Sequence, residues 1–201
     1  MTKIILARHG TYFNPLNIIP FRSNDVSLSE SGIAQIERNA KLLLKENISQ
    51  IYSSPITRCA ETADIFSKVL KVGIEFRNEL KEVYSPAYQN IEQMEYHKLL
   101  GYKSLYANSF HLKKGGEKFE SIEDRMVSTT HRILKDNEGE NVLVVSHGDP
   151  IMILYAYVRG IKLDLNRHIE DQLEYIRKGD MIELDFDGEN LVKFKQHYFQ
   201  T

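Results

Sequence analysis

The chain has 201 residues, 42% hydrophobic and 27% charged, which fits one globular domain with a sizeable core. A formal net charge of -2 and a pI of about 6.4 argue against a dedicated nucleic-acid or anionic-membrane surface. The one cysteine, Cys59, leaves no internal disulfide; there is no signal-peptide pattern and no apolar run of membrane-spanning length, so a cytoplasmic setting is expected.

The chain opens on Lys3-Ile4-Ile5-Leu6-Ala7-Arg8-His9-Gly10. The unbroken apolar run Ile4 to Ala7 suits a strand buried on both faces. It ends on a cation, an imidazole and a glycine that lets the backbone turn sharply and approach a ligand. That puts Arg8 and His9 at the carboxyl end of a central strand, where open α/β sheets bind ligands. Residues 11–25 are rich in Pro, Asn and Ser and read as a loop near His9. Ser29 reads as an N-cap, and Ile33, Ile36, Ala40, Leu43, Leu44 and Ile48 follow at helical spacing to about Asn47.

A short strand, Gln50 to Ser53, runs into Ser54-Pro55, with Pro55 suited to the first turn of a helix that carries Arg58. A strand is expected at Gly73 to Phe76. From Tyr84 to Gly116 the composition changes: Tyr84, Tyr88, Tyr96, Tyr102, Tyr106 and Phe110 crowd together, with a helical piece around Ile91 to Leu100. This stretch, about 84–116, reads as an insertion over the sheet edge, either a partial lid or plain aromatic packing.

Ser121 is expected to cap a helix with Ile122, Met126, Ile133 and Leu134 on its apolar face. Asn141-Val142-Leu143-Val144-Val145-Ser146-His147-Gly148 then repeats the opening pattern, again a buried strand ending in His-Gly. Asp149-Pro150 starts a helix to about Val158, ended by Gly160. Two strands, Met181 to Phe186 and Leu191 to Phe199, close the chain as a hairpin across Asp187-Gly188. The alternation of strands and helices predicts one domain over 1–201, a three-layer α/β sandwich with a mostly parallel central sheet, helices on both faces and an antiparallel pair at the end.

Arg8-His9, Arg58 and His147 thus stand at strand ends near helix starts. Helix N-termini offer free N–H groups and a positive dipole end, and arginine offers a planar fork for phosphate oxygens. The pattern points to a pocket for a small dianion, a phosphoryl group. There is no Walker A loop, no GxGxxG and no Asp cluster for Mg²⁺. A neutral imidazole is then the best available nucleophile, with two arginines and a second imidazole for the charge on the equatorial oxygens.

These residues carry a resemblance. Arg8-His9-Gly10, Ser53-Ser54-Pro55 with Arg58 and Thr62-Ala63, Gly115-Gly116-Glu117 with Arg125, and Ser146-His147-Gly148 resemble the histidine phosphatase superfamily, in its phosphoglycerate mutase-like branch. The resemblance implies that His9 is the phosphorylated nucleophile and that Arg8, Arg58 and His147 bind the phosphoryl oxygens. Leu80-Lys81-Glu82 matches the family's Leu-x-Glu, which implies that Glu82 is the acid–base residue; Asp149, next to His147-Gly148, is its rival. Asn14 and Gly148 are further expected substrate contacts. No metal and no cofactor are implied, and the partner is a small-molecule phosphate ester. The chain departs from the pattern where Thr11 directly follows Gly10, where Val83-Tyr84-Ser85-Pro86 follows the acid, at Lys118 and at Asp149, all places where substrate or loop geometry is set. The expected activity is metal-independent hydrolysis of a phosphate monoester through a phosphohistidine. A mutase-type phosphotransferase and a non-catalytic phosphate-binding regulatory module are the alternatives.

Overall fold

β1 (Thr2–Arg8) forms the centre of the fold because it is apolar on both sides. Ile4 and Leu6 face one layer of helices, and Ile5 and Ala7 face the other. The next element, β2 (Ile18–Ile19), is a two-residue strand inside the first loop. α1 (Glu30–Leu42) follows, capped by Ser29, whose hydroxyl accepts from the Gly32 N–H at 3.1 Å. The helix is shorter than its apolar spacing suggests. Its last turn tightens to a 3₁₀ turn at Leu43–Glu46, so Leu44 points to solvent, and Ile33 also lies exposed on its flank.

β3 (Ile48–Ser53) leads into α2 (Thr57–Leu70). Pro55 therefore precedes the helix and is not in its first turn, while Arg58 is its second residue. β4 (Ile74–Phe76) completes this side. β5 (Ile91–Glu92), α3 (Gln93–Leu100) and α4 (Ser109–Lys113) make up the tyrosine-rich stretch. β5 pairs antiparallel with β2, a contact of two short strands that ties this stretch to the first loop.

α5 (Phe119–Asp136) begins before the expected cap: its N-cap is Lys118, which makes no side-chain cap bond, and Ser121 lies inside the helix. β6 (Asn141–Ser146), α6 (Gly148–Val158), β7 (Met181–Asp187) and β8 (Asn190–His197) follow. The computed structural model describes residues 1–101 and 103–197. Tyr102, Tyr198 and Phe199, which the sequence reading used, lie outside the described residues.

The main sheet runs β4-β3-β6-β1-β7-β8. β4, β3, β6 and β1 are parallel, and β7 and β8 are antiparallel additions on the β1 side. α1 and α2 cover one face through Ile36, Ala40, Ala63 and Phe66, and α5 and α6 cover the other through Ile122, Met126, Ile151 and Met152. The expected three-layer α/β architecture is the observed one. Among the described residues, no helix is long and apolar enough to cross a membrane.

Candidate active site

Register brings the two His-Gly motifs together. β1 and β6 are parallel neighbours with Arg8 opposite Ser146, and the His9 N–H donates to the Ser146 carbonyl at 3.1 Å. The two imidazoles that leave these strands stand 5.4 Å apart, edge to face. On the other side of β6, Ser53 lies opposite Val145, so the start of α2 reaches the same edge. Gly10 serves close packing here: a Cβ on it would lie 2.8 Å from Ile36 Cγ1 of α1.

His9 is buried and its ring is fixed by two contacts. Nδ1 lies 2.9 Å from the Gly10 carbonyl, so that nitrogen carries the proton. Nε2 then holds the lone pair and accepts from Arg58 Nε at 3.2 Å. Burial, with Arg58 and Arg8 alongside, pushes the His9 pKa well below its ordinary value, which keeps the ring neutral at physiological pH. A neutral imidazole with a directed lone pair is a nucleophile.

Arg58 is 1% exposed. It spans the site: Nη2 donates to the Phe21 carbonyl at 2.7 Å and to His147 Nδ1 at 3.0 Å. His147, fully buried, donates from Nε2 to the Ser54 hydroxyl at 2.9 Å, with Cys59 Sγ 3.4 Å from the same nitrogen. Burial and Arg58 push its pKa well down as well. His147 therefore meets the site through Arg58 and does not itself line the cavity. Arg8 extends beside them; its Nη1 donates to the Ile176 carbonyl at 2.8 Å, while its buried Nε has no hydrogen-bond partner among the described residues.

Glu82 faces the same centre. Its Oε2 lies 3.7 Å from His147 Nδ1 and 3.9 Å from Arg58 Nη2, and its side chain is 15% exposed. Burial, then the charge of Asp149, raises its pKa above the usual carboxylate range, against the pull of Arg58. Its backbone is gripped from outside: Arg22 Nε donates to the Glu82 carbonyl at 2.6 Å, and Arg22 Nη2 reaches Glu117 Oε2 at 2.9 Å. Glu117 Oε1 accepts from Arg125 Nε at 2.8 Å, and Arg125 donates to the Glu79 carbonyl. The Gly-Gly-Glu motif and Arg125 thus brace the loop that presents Glu82.

Asp149 is built in differently. Both of its carboxylate oxygens accept phenol O–H groups at 2.5 Å, Oδ2 from Tyr106 and Oδ1 from Tyr175. Both oxygens are thus occupied as acceptors. Tyr106 comes from the tyrosine-rich stretch and Tyr175 from the segment before β7, so Asp149 ties both to α6. Gly148 is required here by close approach, since a Cβ would sit 2.2 Å from the Tyr175 hydroxyl.

A cavity of about 240 Å³ opens above these groups. Arg8, His9, Arg58 and Glu82 line it together with Gln93, Tyr96, His97, Tyr106, His168, Glu170, Tyr175 and Lys178. Three expected substrate contacts do not line it: His147, which reaches the site through Arg58, and Asn14 and Gly148. Asn14 closes its own loop, its amide bonding the Ile18 carbonyl at 2.9 Å and the Ile18 N–H at 3.0 Å. Gly148 lies behind Tyr175. Among the described residues, no group of three or more His, Cys, Asp or Glu is arranged to hold a metal.

The family model of the histidine phosphatase superfamily (branch 1) matches residues 4–191. The chain belongs to this superfamily. The phosphoglycerate mutase-like protein 4 of Arabidopsis thaliana is 33% identical, over 78% of this chain and 71% of its own length. The metal-independent phosphoserine phosphatase of the same plant is 29% identical, over 79% and 69% respectively. Among solved structures, YhfR of Bacillus stearothermophilus superposes with a TM-score of 0.81 at 24% identity, covering 95% of this chain and 94% of that one.

The histidine phosphatase motifs all reach one place: Arg8, His9, Arg58, Glu82 and His147 converge within a few side chains. Residues the sequence reading passed over also belong to this place. Ser54 orients His147, Arg22 holds Glu82, and Tyr12, Tyr175 and Lys178 line the cavity. Ser54 lies inside the Ser53-Ser54-Pro55 motif. The others are brought in by long-range packing that no local pattern announces.

Proposed function

We propose that His9 carries the phosphoryl group in the reaction cycle of this metal-independent phosphatase. The observation that carries the reading is the fixed tautomer: Nδ1 bound to the Gly10 carbonyl, Nε2 free to offer its lone pair once Arg58 turns to a substrate oxygen. In the first step Nε2 attacks phosphorus, the bond from phosphorus to the ester oxygen breaks, and Glu82 gives its proton to that oxygen. In the second step the Glu82 carboxylate takes a proton from water, the water oxygen attacks phosphorus, and the P–N bond breaks to release inorganic phosphate. Arg8 and Arg58 hold the equatorial oxygens, where charge builds in the transition state. His147 orients Arg58 and, as an entering dianion raises its pKa, adds a second proton donor.

The substrate is read as a small, polar phosphate monoester. The cavity volume and the mixed wall of Gln93, His97, His168 and Glu170 support that size and polarity, and a relative is named a phosphoserine phosphatase. Residues 84–101 and 103–116 act as a lid on one side, held by the Tyr106–Asp149 bond and the β2–β5 pairing. The single cysteine supports a reducing, cytoplasmic setting.

Hydrolysis is favoured over mutase chemistry because the wall carries mixed charge, whereas a mutase must hold a second anionic group of its released intermediate away from water. The test is to supply 3-phosphoglycerate with a trace of 2,3-bisphosphoglycerate, and phosphoserine in parallel, with and without EDTA. Phosphate release that is insensitive to EDTA is expected. Rapid formation of 2-phosphoglycerate with little free phosphate overturns the reading.

A further inference from the structure

We propose that Lys178 is a third phosphoryl-binding cation, donating from Nζ to an oxygen of the group that His9 receives. This rests on the reading that His9, Arg8 and Arg58 handle the phosphoryl group. Lys178 belongs to none of the motifs that identify the family. Four observations assign it.

First, its backbone is joined to that of His9. The N–H of Gly179, the next residue, donates to the His9 carbonyl at 3.0 Å, and the Lys178 carbonyl accepts from Gln35 Nε2 at 2.9 Å. Second, its ammonium is aimed into the site. Nζ lies 4.0 Å from the centre of the Tyr12 ring, and that ring packs 5.6 Å from the His9 ring and 5.8 Å from the Arg58 guanidinium. Third, it lines the same cavity as Arg8, His9 and Arg58. Fourth, it forms no ion pair with any described residue. A half-buried ammonium beside two guanidiniums and no carboxylate is electrostatically unfavourable until an anion enters.

The charged and titratable groups around it are Arg8 of β1, Arg58 of α2, and His9 and Tyr12 of the first loop. Burial and the two arginines push the Lys178 pKa down to about 8. A group that titrates there leaves a signature. His9 and His147 titrate well below it, and burial raises Tyr12 above its ordinary value. An alkaline loss of kcat/KM near pH 8 then reports Lys178.

The experiment is the hydrolysis of p-nitrophenyl phosphate by wild type, Lys178→Met, Lys178→Arg and His9→Ala across about pH 6 to 10. The leaving group of this ester needs no proton, so Glu82 does not shape the profile. Wild-type kcat/KM should fall above about pH 8. Lys178→Arg should lose that alkaline limb, because a guanidinium stays charged. Lys178→Met should lose the limb and also drop roughly 10- to 100-fold at neutral pH, with weaker inhibition by inorganic phosphate. If Lys178→Met unfolds, the profile of Lys178→Arg still decides. A Lys178→Arg or Lys178→Met protein with the wild-type rate and limb, while His9→Ala is dead, overturns the role of Lys178 alone. Turnover by His9→Ala overturns the phosphoryl-transfer reading beneath it.

Discussion

Arg58 donates from Nε to His9 Nε2 across 3.2 Å. This bond points the histidine lone pair at a guanidinium that is itself suited to a phosphoryl oxygen, so nucleophile and oxyanion ligand are aligned before substrate arrives. The same side chain also holds the Phe21 carbonyl. Arg58 is thus a structural anchor as well as a functional one, which a helix-surface arginine would not be.

Replacing Arg58 should therefore damage both properties. Arg58→Ala leaves a buried carbonyl and two buried imidazoles without their donor, a loss of about 3 kcal/mol by analogy with other broken buried networks. Turnover should fall roughly 10²- to 10³-fold beyond that, because the lost contact strengthens in the transition state. Thermal melting and kcat/KM measured on the same preparation check it. Normal melting with normal turnover contradicts it.

Glu82 and Asp149 are told apart by their hydrogen bonds. The Glu82 carboxyl faces the reacting centre with a raised pKa, while the Asp149 oxygens are both filled by tyrosine hydroxyls. Glu82→Gln should slow an alkyl phosphate roughly 10²- to 10⁴-fold and leave p-nitrophenyl phosphate much less affected. Asp149→Asn should show no such dependence on leaving group. A leaving-group effect confined to Asp149→Asn reverses the assignment.

The three-residue tie should behave as one unit. Tyr106→Phe and Asp149→Asn, singly and together, should give destabilisations that fail to add, with a coupling of about 1 kcal/mol. Urea denaturation of the four proteins measures it. Additive effects would mean that the tie carries no stability.

Acid should destabilise the fold through His9 and His147, which of the three buried histidines, His111 being the other, are held furthest below their ordinary pKa. Both have folded pKa values well below the ordinary value. Below about pH 6.5 the unfolded chain therefore binds more protons than the folded one, and stability falls as pH falls. The slope approaches about 1.4 kcal/mol per pH unit for each histidine that stays neutral. Melting followed from pH 7 to pH 5 should show this loss, and His147→Gln should flatten it. An identical slope in the variant contradicts the origin.

Much of this site is legible in the sequence because its parts are local. A buried strand followed by His-Gly needs only a few residues to be recognised, and β1 and β6 both behave as that pattern implies. What local pattern misses is set at a distance. Leu44 fits the helical spacing but turns outward because the chain tightens into a 3₁₀ turn at the end of α1, and Ile33, in the first turn of the helix, lies exposed on its flank. Asn14 has the right type and nearly the right position, yet its amide is consumed by Ile18. Arg22, Glu117 and Arg125 act on Glu82 across loops that meet only in the folded chain. Lys178 reaches His9 because β7 pairs antiparallel with β1, which brings the start of one strand to the end of the other.

The atom that receives phosphate decides the mechanism most directly. A rapid-mixing experiment with ³²P-labelled ester, quenched in alkali and mapped by peptide mass spectrometry, locates it. The label should appear on Nε2 of His9, form within a single turnover, survive alkali and be lost in acid. Label on Nδ1 of His9, on His147, or on any other residue would contradict the account.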